Sequence, residues 1–170
     1  MKPERGDSQP DNGDAPSQKA TRSPDADLCG ADLRDADLAG ADLDDRELAA
    51  ADLSGSRLVR AKLRRADLRG ATLDRADLES ADLSGADLSG ADLRLTRLCN
   101  ARLQAADLSA ADLRLADLSG ADLRDASLAG ANLQGILYDE TTLWSEGCEP
   151  PTRTRTEADD GPVEARRARQ

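Results

Sequence analysis

Leucine recurs at every fifth residue from Leu28 to Leu133, 22 times without a miss. A second apolar column, alanine, runs two residues earlier from Ala26 to Ala131 and is broken at Arg46, Ser56 and Thr96. The unit reads Ala-Asp-Leu-x-x. An α-helix turns about 100° per residue, so a step of five rotates each leucine by roughly 140° and scatters the column round the cylinder. A flat strand alternates faces with period two, so an odd step throws successive leucines to opposite sides. A short extended segment followed by a corner satisfies the pattern. Ala and Leu, two residues apart, share one side, and the two residues after Leu turn the chain. Glycine fills the second corner position in units such as Gly30, Gly85 and Gly130, where a tight turn often needs positive φ. Repeated turning of one hand makes a solenoid with Leu and Ala inside. The residue before Leu and the two after it face water.

The units Ala31-Asp32-Leu33, Ala81-Asp82-Leu83 and Ala131-Asn132-Leu133 carry the pattern Ala-Asp/Asn-Leu-x-x. On these motifs, residues 26–148 resemble the pentapeptide-repeat family. The resemblance implies an all-β solenoid, a right-handed quadrilateral β-helix with four units in each twenty-residue coil. The 22 units would then make five and a half coils, a rod about 26 Å long at the usual interstrand spacing. The charges do not choose the number of sides. Aspartate fills 14 of the 22 positions before Leu, so a fifteen-residue coil sets bases beside acids nearly as well.

The expected organisation is a polar N-terminal tail over residues 1–25, the repeat rod over 26–148, and a flexible C-terminal tail over 149–170. Low apolar content predicts disorder in both tails. Residues 136–148 hold the only tyrosine and tryptophan, Tyr138 and Trp144. They read as a closing coil and cap that keeps the five-residue step through Tyr138 and Leu143. Arg46 sits in an inward column, where an unpaired charge would cost several kcal/mol. A local distortion that lets it reach water, or pair with Asp44, Asp45 or Glu47, is expected there.

Composition narrows the function. The chain has no histidine and three cysteines, Cys29, Cys99 and Cys148, without metal-ligand spacing. A zinc site or a histidine-based triad is therefore unavailable, no cofactor is expected, and the chain reads as non-enzymatic. Calcium asks for six to eight converging oxygens, which parallel rows of carboxylates do not supply. No apolar run reaches the roughly 20 residues of a membrane span, and no hydrophobic signal region opens the chain. A cytoplasmic protein is expected. The net charge of −11 argues against direct nucleic-acid binding and favours basic partners.

Four units per coil would stack residues twenty apart. The first outward column then reads Asp27, Glu47, Asp67, Asp87, Asp107, Ser127, and the second Asp32, Asp52, Thr72, Asp92, Asp112, Asn132. The third and fourth alternate in sign, as Asp37, Arg57, Asp77, Arg97, Asp117 and Asp42, Lys62, Asp82, Arg102, Asp122. The nine acids of the first two columns form the candidate interaction surface. Leu95 and Leu115 would stack as a small outward patch on the second face. The leading expectation is a protein–protein interaction or scaffold module with an unspecified partner, as a monomer or homodimer. The alternative, implied by the resemblance, is mimicry of DNA toward a type II topoisomerase (DNA gyrase or topoisomerase IV), giving quinolone or toxin tolerance. The absence of loop insertions between Ala26 and Leu133, and the prolines Pro150, Pro151 and Pro162 after the cap, weigh against that alternative.

Overall fold

The structure is a computed structural model that describes residues 27–148, 150 and 151. The tails expected over 1–25 and 149–170 lie almost wholly outside the described residues. Residues before Leu pair in parallel bridges with those twenty positions on: Asp32 with Asp52, Asp37 with Arg57, Asp42 with Lys62, Glu47 with Asp67, and so up the rod. A coil is therefore four units, and the fifteen-residue alternative falls. The fold is a right-handed quadrilateral β-helix. Coil 1 covers 27–45, coil 2 46–65, coil 3 66–85, coil 4 86–105 and coil 5 106–125; the closing coil covers 126–148.

The repeat can be accounted for one N–H at a time. In the unit at 51–55, Asp52 donates down to the Ala31 carbonyl (2.9 Å), while Leu53 and Gly55 donate up to Thr72 (2.7 Å) and Asp74 (2.9 Å). The N–H that opens the next unit, Ser56, closes the corner on Leu53 (3.1 Å). One donor remains, the first corner residue Ser54, and it goes to the Asp52 carboxylate at 3.0 Å. Backbone donors left unpaired inside a fold are costly, so the Asp side chain completes the unit.

The second corner residue has positive φ in every unit from 30 to 135. Nine of these are glycine, as the sequence suggests. The other thirteen, including Ala50, Arg65, Leu95 and Ala110, hold φ between 53° and 61°. Their tolerance has a physical basis: the same corner N–H and carbonyl bonds recur from coil to coil and over-determine the backbone.

The inward leucines from Leu43 to Leu123, one in every fifth position, are 0–1 % exposed, each burial contributing about 1.5–3 kcal/mol gross. Leu128 and Leu133 near the top are half-buried. Ser56 and Thr96 fall in one inward column and are fully buried. Thr96 Oγ1 donates to the Leu73 carbonyl at 2.9 Å, whereas Ser56 Oγ has no partner. The distortion expected at Arg46 is absent from the backbone: its N–H reaches Leu43 (3.3 Å) and its carbonyl accepts from Asp67 (2.8 Å), as in any other unit. The side chain is half-buried, one coil above the start of the described rod.

The cap departs from expectation in its register. Leu137 bridges Asp117, twenty residues back, but Leu143 bridges Asp122, twenty-one back. One extra residue enters between Tyr138 and Leu143, so the five-residue step ends at Tyr138. Leu143 points outward, 44 % exposed. Thr142 takes the alanine place and is buried, its Oγ1 donating to the Leu118 carbonyl at 3.0 Å. Trp144 takes the leucine place and meets Tyr138 edge to face, centroids 5.4 Å apart. Both rings pack partly buried against the core, as a cap requires. No helix of the described residues is long and apolar enough to cross a membrane.

Candidate interaction surface

The four outward columns stand as the twenty-residue stacking requires. On the third face Arg57 meets Asp37 at 3.0 Å and Arg97 meets Asp77 at 2.8 Å. On the fourth, Lys62 meets Asp42 at 3.1 Å and Arg102 meets Asp82 at 3.8 Å. Each base thus reaches to the coil before it. Such exposed pairs contribute about 0–1 kcal/mol each.

What sequence reasoning missed is the work already assigned to the acids. All fourteen aspartates before Leu accept a hydrogen bond from the backbone N–H two residues on, from 2.8 Å at Asp27 to 3.5 Å at Asp42. This is an Asx turn, a local bond open to Asp and Asn. Asn132 makes the same bond at 3.1 Å. The signal that could have revealed it was the Asp/Asn restriction itself, since solubility alone would accept Glu or Lys.

A second layer of pairing follows from a longer motif, Ala-Asp-Leu-Arg. In all five such units the arginine folds back on its own aspartate. Arg34 Nε and Nη2 reach Asp32 at 2.8 and 2.6 Å, and Arg114 reaches Asp112 alike. Arg69 on Asp67, Arg94 on Asp92 and Arg124 on Asp122 complete the set. Hydrogen bonds from the guanidinium hold these carboxyls below the usual carboxylate range, Asp32 at about 2.

The nine candidate acids therefore divide. Asp32, Asp67, Asp92 and Asp112 are clamped. Asp52 and Asp87 have an arginine Nε at 3.8 and 3.9 Å. Asp27, Glu47 and Asp107 form no ion pair among the described residues. The first face is thus the more open acid row, while the second is largely neutralised.

Asp27, Cys29 and Glu47 bring one potential ligand atom each within 4.8 Å of one another, all exposed. Two carboxylates and a thiol fall short of a calcium shell. The hydrogen bond with Asp27 raises the Cys29 thiol and keeps it protonated, which disfavours thiolate ligation. Burial pushes Cys99 up to about 11. All three cysteines are free. Leu95 and Leu115 stand outward as expected, 40 % and 58 % exposed, and Leu137 and Leu143 in the cap join them as exposed apolar residues.

Pentapeptide repeats match residues 24–45, 47–85, 76–114 and 101–136. The chain belongs to the pentapeptide repeat family. It is similar to HetL, a pentapeptide repeat protein involved in heterocyst differentiation regulation from Nostoc sp. strain PCC 7120, with 33 % identity over 65 % of this chain and 69 % of that one, TM-score 0.43. It is similar to alr5209, a pentapeptide repeat protein of Nostoc PCC 7120, with 45 % identity over 52 % of this chain and 77 % of that one, TM-score 0.45. It is similar also to QnrB1, a plasmid-mediated fluoroquinolone resistance protein, with 20 % identity over 64 % and 79 %, TM-score 0.28. No curated protein matches the sequence. Members of the family are generally structural or interaction modules.

Proposed function

We propose that this pentapeptide repeat protein is a non-enzymatic protein–protein interaction or scaffold module, working in the cytoplasm without a cofactor. The carrying observation is the fate of the repeat's polar groups. All fourteen aspartates before Leu are held at their own corners, in rows that run parallel up the faces and do not converge on one point. Convergence of polar groups on a reacting atom is what a catalytic site needs; a stiff rod with fixed side-chain rows is suited to presenting contacts. The three free thiols suit a reducing compartment.

Mimicry of DNA toward gyrase or topoisomerase IV is the competing reading. The arginine clamps on Asp32, Asp67, Asp92 and Asp112 stand against it, since each replaces a bare carboxylate by a near-neutral pair. Affinity capture from native cell extract with the immobilised full chain, followed by reconstitution with purified protein, tests the proposal. A partner that rebinds saturably to the folded rod is expected. Failure of every captured protein to rebind would sink the interaction reading. Topoisomerase subunits among the rebinding proteins, with protection of supercoiling from a quinolone, would move the assignment to mimicry.

A further inference from the structure

Charge is banded along the rod axis. Coil 1 holds seven aspartates and one base, Arg34, while coil 2 holds six bases and two acids, Glu47 and Asp52. Coil 2 sits on coil 1 through main-chain bonds and through a row of ion pairs. Arg57 meets Asp37 at 3.0 Å, Lys62 meets Asp42 at 3.1 Å, Arg65 meets Asp45 at 2.6 Å, and Arg64 pairs with Asp44. The upper edge of coil 1 thus displays its own ligand, a basic chain in parallel register that turns a corner in every unit.

The lower edge offers the same backbone chemistry without a backbone partner among the described residues. In coil 2, the N–H groups of Asp52, Arg57 and Lys62 donate to the carbonyls of Ala31, Ala36 and Ala41. The equivalent N–H groups of Asp32, Asp37 and Asp42 find no backbone partner among the described residues, nor do the carbonyls of those three aspartates. The carbonyls of Arg34, Ala39 and Asp44 likewise find no backbone donor among the described residues. Each unit of this edge therefore presents one donor and two acceptors. An open β-edge is a template for another strand. On the third and fourth faces the sign alternates at every rung, so the rung below Asp37 and Asp42 calls for a base on each.

A second copy fits badly. Head to head, seven aspartates would oppose seven. Head to tail, the closing coil over 126–148 contributes Asp139, Glu140 and Glu146 with no base. We propose that the N-terminal edge of coil 1 takes a basic segment of a partner protein as one more parallel turn, two short extended pairs with a corner between them, its bases five residues apart beside Asp37 and Asp42. This rests on the interaction-module reading and names the partner's chemistry.

The test uses the full chain and a fluorescent peptide with two arginines five residues apart in a threonine background and a glycine three residues after the first arginine, at the corner. Binding is read by anisotropy at low salt, where such pairs are least screened. The double substitution Asp37→Asn with Asp42→Asn weakens binding about tenfold. Asp117→Asn with Asp122→Asn, on the same two faces four coils up, leaves it unchanged, and N-methylation of the peptide's alternate amides abolishes it. Equal binding to both variants, or full binding of the methylated peptide, overturns the proposal. Hydrogen exchange on the unsubstituted chain decides even where a variant fails to fold. The amides of Asp32, Asp37 and Asp42 exchange fast alone and slow on adding peptide. Protection without peptide means that the chain's own residues or a second copy already fill the edge, which also overturns it. A captured partner that rebinds the Asp37→Asn, Asp42→Asn variant undiminished removes the edge assignment and leaves the interaction module standing.

Discussion

Replacing the corner alanines Ala50, Ala105 and Ala110 by glycine should stabilise the rod, against the usual expectation that glycine weakens a fold. The three hold φ of 55°, 56° and 56° and are exposed, so no packing is lost. Their N–H bonds to Arg69, Arg124 and Ala129, at 2.9, 3.0 and 2.8 Å, are backbone bonds that glycine keeps. An L-residue in the left-handed region carries about 1–2 kcal/mol of strain. Glycine costs about 0.5–1 kcal/mol in unfolded-chain entropy. The difference favours glycine by about 0.5–1 kcal/mol at each corner. Ala50 and Ala110 share a corner three coils apart, roughly 14 Å at the interstrand spacing, and Ala105 lies on another corner, so the effects should add. The triple variant should gain about 1.5–3 kcal/mol, a Tm rise on the order of 5–10 °C. The converse uses Gly90, whose φ is 65° and whose added Cβ would meet nothing within 4 Å. Gly90→Ala should lose about 0.5–1 kcal/mol through φ alone. Thermal and urea unfolding followed by circular dichroism read both. A triple variant with unchanged or lower Tm, or a Gly90→Ala chain that melts higher, would falsify the account of the corner.

Three further outcomes are expected. Leu78→Ala, at a site fully buried near mid-rod, should cost about 2–5 kcal/mol by urea unfolding; a cost below that of Leu133→Ala, at the half-buried end, would contradict the stacked core. Thr96→Val should cost about 1 kcal/mol by removing the bond to Leu73, while Ser56→Ala should be neutral or stabilising because its hydroxyl is buried without a partner; equal losses in the two would refute the distinction. The clamped carboxyls predict acid sensitivity: guanidinium hydrogen bonds hold Asp32, Asp67, Asp92, Asp112 and Asp122 below the ordinary aspartate value of 3.8, Asp32 at about 2. Their stabilisation is present above that value and lost as pH falls through the lowered folded values, so the urea midpoint should hold from neutral to about pH 5 and decline below about pH 4, and a midpoint flat to pH 2 would deny the clamps.

The fold was legible because one short period excludes the helix and the flat strand on geometry. The number of sides was not, because aspartate is so frequent before Leu that any stacking sets bases beside acids. Only the bridges at twenty residues decide it. The cap register was hidden for a related reason. Leu143 keeps the spacing of the leucine column, yet one extra residue after Tyr138 moves it outward and gives its place to Trp144. A periodicity in sequence becomes a periodicity in space only while the chain between is uninterrupted.

The candidate surface was legible as residues but not as chemistry. Sequence reading places Asp32, Asp92 and Asp112 correctly on one face and treats them as bare charge. In the structure one oxygen of each holds the corner N–H of its own unit, and a neighbouring arginine takes the carboxylate again. Acidity on the sides of this rod is thus largely a consequence of how the chain turns, and it carries little information about a partner. The information lies where backbone groups are left over beside carboxylates paired on one side only. Interior rungs satisfy their backbone from above and below; among the described residues, the edge of coil 1 has its satisfaction from above alone. Among the described residues, the same twenty-residue stacking therefore leaves unmet backbone hydrogen-bonding capacity at one end, beside carboxylates paired from above alone, which is where a partner has most to gain.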